Sequence, residues 1–241
     1  MAAKAIVADH EGDVNHYSRL TSVMQEEVCE ALKQGPPEQF LVEAFSMAVT
    51  RRDIATLSEG KGLNDNIVNF YLAMTAERSK RRGGPPVYAF STFFFAKLHR
   101  CGPHGVKTGS ADLFAYDILL VSVQSEDTSH WCLAVVDFRT PEMVIYDSLG
   151  PRDEHANIID ALAECLEKVR HRRDCDLDWS GWYFYPRNVQ LQKNTFDCGV
   201  FLWQYAECLT RDAPILFEEN HMQNFRGRIV YEILHRRLLP W

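Results

Sequence analysis

Gln192-Lys193-Asn194-Thr195-Phe196-Asp197-Cys198-Gly199-Val200-Phe201 sets a cysteine directly before a glycine, behind a loop of polar residues. From Val200 to Leu209 the chain is apolar, interrupted only by Gln204 and Glu207, which reads as a buried helix. Asp197 stands where an N-cap would, so Cys198 falls in the first turn of that helix. Unpaired backbone N–H groups and the positive end of the helix dipole favour a thiolate there. The helix alone leaves two readings open, a nucleophile or an inert cysteine in a core helix.

The chain has 241 residues, enough for one large domain or two small ones. Its 46% apolar and 24% charged content is that of an ordinary globular protein. A net charge of −7 argues against nucleic acid as the main partner. The 7 cysteines form no C-x-x-C pair and stand beside no histidine cluster, which argues against a disulfide framework and a structural zinc site. No cofactor or metal is expected. No apolar run approaches the roughly 20 residues of a membrane span, and the N-terminus lacks the apolar core of a signal peptide. A reducing compartment, cytosolic or nuclear, is the expectation.

Residues 1–17 carry little pattern and are read as a loosely ordered lead-in, with 18–241 forming a single domain. Helical spacing marks Arg19 to Leu32, stopped by Gly35-Pro36-Pro37. Glu43 to Ile54 reads as a strand whose end carries Arg51-Arg52. Asn64-Asp65 opens a strong helix that ends before Gly83-Gly84-Pro85-Pro86. Val87 to Phe90 is a short strand and Thr92 to Leu98 a short aromatic helix. Asp117 to Val123, His130 to Phe138 and Met143 to Asp147 read as central strands covered on two faces. Ala156 to Arg172 is an amphipathic helix, Trp182 to Tyr185 a strand, and Phe217 to Leu239 the closing helix. Helices before and after a block of strands make an α+β domain.

His130 begins one of these strands and Asp147 ends the next. If the two form a hairpin turning at Phe138 to Pro141, Asp147 lies opposite Cys132, and His130 projects from the same face as Asp147. Such diagonal neighbours are roughly 7–8 Å apart, within reach of long side chains. Singly, each residue has a bland reading: a histidine at a strand end, an aspartate before a turn. Cys198, His130 and Asp147, with Gln192 six residues before the cysteine, together supply every part of a thiol acyl-transfer site. Cys198 would attack a carbonyl, His130 would hold and return the proton, and Asp147 would fix the imidazole. Gln192 and the Cys198 N–H would donate to the oxyanion.

His130-Trp131, Tyr146-Asp147-Ser148 and Gln192-x-Asn194-x-x-Asp197-Cys198-Gly199 resemble the catalytic signature of the SUMO-specific (sentrin-specific) cysteine proteases. Leu63-Asn64-Asp65, Ile67-x-Asn69-Phe70-Tyr71, Thr92-Phe93-Phe94-Phe95, Cys132 to Arg139 and Glu232-Ile233-Leu234-His235-Arg236 resemble that family as well, in the family's order. The resemblance implies a papain-like α+β fold: a central, mostly antiparallel sheet flanked by helices, with the nucleophile at a helix N-terminus. It implies cleavage after the Gly-Gly of SUMO, both to mature precursors and to release SUMO from lysine isopeptides. His130, Asp147 and Cys198 match the triad, and Gln192 the oxyanion-hole glutamine. Trp131 matches the tryptophan covering the substrate's glycine pair. Asp65 and Phe93 match positions on the SUMO-binding face, although Phe93 is equally readable as core. Arg52 sits where the family carries a basic residue facing the modifier's acidic surface. SUMO and SUMO-conjugated proteins are implied as partners, while a monomer is the default expectation and neither nucleic acid nor a membrane is expected as partner. A nuclear location is implied as well, with the cytoplasm as the second compartment.

Two departures bear on substrate clamping. The family carries tryptophan immediately before Leu-Asn-Asp, as the opposite wall of the glycine tunnel, and here that position is Gly62. The family's Val-Lys-Arg-Trp-Thr stretch reads Val106-Lys107-Thr108-Gly109-Ser110. Thr195 also replaces a glycine common in the cysteine loop. Two rival readings remain: a protease for another ubiquitin-like modifier, and a catalytically weak module that binds SUMO.

Overall fold

A computed structural model describes residues 20–106, 111–125, 128–173 and 179–240. The lead-in 1–17 and the departure at 107–110 lie outside the described residues.

Helix α1 (Ser22–Leu32) starts at Thr21, whose hydroxyl accepts from the Met24 N–H at 3.3 Å. The single strand expected over Glu43 to Ile54 is instead a hairpin followed by one turn of helix. Strands β1 (Phe40–Ala44) and β2 (Met47–Thr50) are joined by Phe45 and Ser46, both at positive φ, as tight two-residue hairpin turns require. Thr50 then caps the short helix α2 (Arg51–Ile54) in a reciprocal box with Asp53, so Arg52 lies on a helix and not at a strand end. Alternation of apolar residues passes through the turn unbroken, which is why pattern alone did not divide the segment.

Helix α3 (Asp65–Arg82) begins, as its sequence predicts, with Asn64 accepting from the Ile67 N–H at 3.1 Å, and it stops at left-handed Gly83. After β3 (Val87–Ala89) comes α4 (Phe93–Gly105), longer than expected because it continues through a kink at Gly102. Strands β4 (Ile118–Gln124), β5 (Trp131–Asp137) and β6 (Glu142–Tyr146) follow, then α5 (Glu154–Arg173), β7 (Tyr183–Pro186) and α6 (Cys198–Leu209). The closing helix α7 (Met222–His235) is shorter than predicted. A 3-10 turn at Glu219–His221 precedes it, and Arg236 in the left-handed region ends it.

The main sheet has the order β3-β4-β5-β6-β7. Its three central strands are antiparallel, whereas β3 and β7 run parallel to their neighbours. The parallel margins follow from connectivity: α4 links β3 to β4 and α5 links β6 to β7, and a crossover helix returns the chain in the same direction.

Alternate residues of the central strands feed two separate cores. Leu120, Leu133, Val135, Val144 and Tyr146 pack with α3, α6 and α7 on one face. Val121, Ala134, Val136, Met143 and Ile145 pack with α4 and α5 on the other. Every residue of α6 from Cys198 to Cys208 is buried, and Trp203 stacks on Tyr71 of α3 at 4.7 Å between ring centroids. Helix α6 is thus clamped between the sheet and α3, which fixes where its N-terminus points.

Candidate active site

The hairpin register is the one the sequence predicts. Leu133 pairs with Tyr146, and one step further along the same register sets Cys132 opposite Asp147. His130 Nε2 meets Asp147 Oδ1 at 2.7 Å, and both residues are buried, at 4% and 1% exposure. Cys198, 3% exposed, lies close enough to the same imidazole to raise its pKa. With Nε2 committed to Asp147, Nδ1 is the ring nitrogen left for the sulfur. His130 and Asp147 belong by parity to the α5 face of the sheet, while Cys198 packs with the opposite core. The three meet where the strands end.

Burial by itself would push the His130 imidazolium toward deprotonation. Hydrogen bonds to Asp147 and Cys198 outweigh it and carry the pKa up to about 9. Burial likewise tends to raise the Asp147 carboxyl, but hydrogen bonds from His130 and His155, the charge of His130 and the Leu149 N–H hold it well below the usual carboxylate range. At neutral pH the pair is therefore imidazolium and carboxylate. A thiolate is the nucleophilic form of cysteine, and an adjacent imidazolium is the counter-ion it needs.

Asp197 occupies the N-cap position of α6, but its side chain caps nothing, contrary to the sequence expectation. Its carboxylate is held by Arg226, from Nε at 2.8 Å and Nη2 at 2.7 Å, and by Asn194 Nδ2 at 2.7 Å. The reason is competition: a buried guanidinium offers a stronger, two-pronged partner than a backbone amide. Among the described residues no acceptor meets the Cys198 N–H, so it remains a donor for an incoming oxygen.

Gln192, six residues before Cys198, lies in a loop that locks itself. Ser148 Oγ donates to Gln192 Oε1 at 2.6 Å, which identifies Nε2 as the donor end of the amide. Nε2 spends one hydrogen on Asn194 O at 2.6 Å and keeps the other. Asn194 Oδ1 in turn accepts from the Phe196 and Asp197 N–H groups, both at 3.0 Å. A thiol, an imidazolium and two spare N–H donors at a helix N-terminus can perform nucleophilic acyl transfer.

Gly199 is required by packing. A Cβ there would lie 2.6 Å from Leu63 Cδ1, and Leu63 O accepts from Trp131 Nε1 at 3.0 Å. Trp131 is itself buried, its indole N–H tied to the Leu63 carbonyl. Gly62, one residue before Leu63, has nothing within 4 Å of where a Cβ would stand.

The remaining predicted residues line the start of α3. Asp53 accepts from Asn64 and Asn66 at 2.8 and 3.0 Å, tying α2 to α3 and bringing Arg52 near Asp65. Asn69 exchanges two hydrogen bonds with Thr92, at 3.0 and 2.8 Å, and so sets Phe93 one turn further along. Phe93 is 66% exposed, which removes its core reading. Arg52 is exposed and paired with Glu38, and Asp65 is half-buried in the first turn of α3.

Sequence reasoning missed His155 and Arg226. The donor atoms of Cys132, Asp147 and His155 lie within 4.8 Å of one another, a spacing that could suggest a metal. Their chemistry fits one poorly. Arg152 N donates to His155 Nδ1 at 3.2 Å, so Nε2 carries the proton and is no ligand. Arg152 Nε also sits 3.3 Å from Asp147 Oδ2, and burial pushes the Cys132 thiol well up, keeping it neutral.

Residues 61–238 match the Ulp1 protease family, C-terminal catalytic domain. The chain belongs to that family. Sentrin-specific protease 2 of Mus musculus is 38% identical over 225 residues, covering 91% of this chain and 38% of that protein. The sentrin-specific protease of Caenorhabditis elegans is 37% identical over 210 residues, covering 85% and 30% respectively. The chain thus spans about 38% of the length of the first of these relatives. Among solved structures, the C-terminal Ulp1 protease domain in complex with Smt3, the yeast ortholog of SUMO, superposes with a TM-score of 0.81 at 22% identity, over 93% of this chain and 98% of that one. The Chaetomium thermophilum Ulp1-like SUMO protease catalytic domain gives 0.77 at 23% identity, over 92% of each chain. The α+β papain-like fold expected from the sequence is the fold of these proteins.

Proposed function

We propose that this chain is a SUMO-specific thiol protease that cleaves after the SUMO C-terminal Gly-Gly, releasing SUMO from lysine isopeptides and processing its precursors. One observation carries the reading: in a Ulp1-family chain, His130 is hydrogen-bonded to Asp147 and coupled to Cys198, while Gln192 and the Cys198 N–H hold spare donors. Cys198 Sγ attacks the glycine carbonyl, and the oxyanion receives the two N–H groups. His130 gives its proton to the leaving lysine amine as the C–N bond breaks. Water, losing a proton to His130, then hydrolyses the thioester and frees the sulfur.

The names of the relatives and the Smt3-bound domain point to SUMO as the modifier. Arg52, Asp65 and Phe93 would meet the body of SUMO, and Trp131 its glycine tail. The reading extends to a single domain over residues 18–241, a monomer that binds no nucleic acid, and a nuclear location. A weak SUMO-binding module is the second reading, favoured by the open space at Gly62. Turnover of a fluorogenic SUMO C-terminal substrate, beside the ubiquitin counterpart and with Cys198→Ala as control, tests the assignment. Fast, thiol-dependent cleavage of SUMO alone is expected. SUMO binding without turnover would favour the module, and preferential ubiquitin cleavage would overturn the substrate.

A further inference from the structure

The Asp147 carboxylate is shared by two histidines, and only one of them belongs to the proposed triad. Oδ1 accepts from His130 Nε2 at 2.7 Å and from the Leu149 N–H at 2.8 Å. Oδ2 accepts from His155 Nε2 at 2.9 Å and, more distantly, from Arg152 Nε at 3.3 Å. His155 is 2% exposed and lies on the first turn of α5, the helix that covers the triad's face of the sheet. Its own ring is held in turn, because Nδ1 accepts from the Arg152 N–H at 3.2 Å. That bond leaves a single hydrogen on the imidazole, at Nε2, aimed at Asp147.

A carboxylate at a strand end can rotate about its last torsion, and each of its oxygens has room for about two donors. With Oδ2 fixed by a stiff, buried ring, rotation is blocked and Oδ1 stays in line with His130. Arg152 is a poorer anchor, since it is partly exposed and also paired with Glu154 at 2.5 Å. We propose that His155 is a positioning residue for the reaction, holding Asp147 so that His130 keeps its orientation toward Cys198. The proposal rests on the protease reading above. It sets one histidine, as a fixed Nε2–H donor, behind another that exchanges protons. Neighbouring ionisable groups are Cys132 from β5, Arg152 and Glu154 beside α5, and Cys198 and Tyr205 from α6.

The test reads the two imidazoles by nitrogen-15 NMR in the full chain and compares His155→Leu with His155→Gln. In the wild-type protein, His155 is expected to carry its hydrogen on Nε2, whatever its turnover. A His155 that carries its hydrogen on Nδ1 would overturn the proposal without any variant. His155→Leu is expected to lower kcat by about tenfold or more, leave KM within about twofold, and move the His130 titration below about 9. His155→Gln keeps an N–H near the same point and is expected to restore most of kcat and the His130 titration. Equal losses in both variants, or an unchanged His130 titration in His155→Leu, would reduce His155 to a packing role. Absence of Cys198-dependent turnover in the wild type would instead overturn the protease reading, leaving the NMR arms to judge His155.

Discussion

Arg226 and Asp197 form a buried ion pair at 2.8 Å that joins α7 to the loop carrying the nucleophile. The same guanidinium donates to Phe196 O at 2.9 Å and to Thr56 O and Ser58 O at 3.3 and 3.2 Å. One side chain thereby binds the cysteine loop, the segment leading to Gly62, and the last helix. It also keeps Asp197 away from the amides of α6, leaving the Cys198 N–H unspent.

Arg226→Met should expose this dual role. Removing one partner of a buried pair costs about 3–5 kcal/mol, which urea denaturation would register. At temperatures where the variant is still folded, kcat should fall further, because the released Asp197 carboxylate can turn onto the helix amides. A variant destabilised but fully active when folded would show that the pair serves stability alone.

Asp147→Asn should move the basic limb of the pH–rate profile. His130 is raised from its ordinary 6.5 to about 9, so the form that protonates the leaving amine persists through neutral pH. Loss of the Asp147 charge withdraws its hydrogen bond and attraction, and the limb shifts downward. Linkage gives the stability a matching sign. A raised imidazolium contributes fully below 6.5, and its contribution disappears as pH climbs through about 9. Thermal melts across that window should decline in the wild type and stay flatter in the variant.

Gln192→Ala removes one of the two spare oxyanion donors, and kcat should drop by about 10²–10³ with little change in KM. Ser148→Ala leaves the amide in place but frees it to flip, so it should show a smaller loss in the same direction. Steady-state kinetics on a SUMO substrate separate these outcomes. A large rise in KM alone would mean that Gln192 contributes to ground-state binding.

Gly62→Trp tests the missing wall. Nothing lies within 4 Å of the added Cβ, so the substitution should alter stability by no more than about 0.5 kcal/mol. If the open side of the slot limits positioning of the glycine tail, kcat/KM should rise severalfold. Unchanged turnover would mean that Trp131 and Leu63 suffice.

The start of α6 at Cys198 was legible because a polar loop meeting a long apolar run is a boundary that few other structures satisfy. Strand parity did the same for His130 and Asp147, since a period of two leaves only one shared face. His155 was hidden because a single histidine near the start of an amphipathic helix looks like any other polar residue. Only the turn at Gly150 folds it back onto Asp147. Arg226 was equally silent, since a charge among apolar helix positions is ordinarily solvated and its two partner segments, 56–58 and 196–197, are distant in sequence. The hairpin at Phe45-Ser46 lacked glycine, asparagine and aspartate, the residues that usually advertise such a turn.

The sheet separates two cores, and the proposed triad draws on both: sulfur from the α6 side, imidazole and carboxylate from the α5 side. Turnover therefore works as a gauge of whether both layers are docked at once. Loosening either one, even far from the sulfur, would silence the enzyme while most of the chain stayed folded. Heat inactivation should then precede the loss of overall helicity, and a ligand that tightens α5 against the strands would protect a cysteine that belongs to the opposite core.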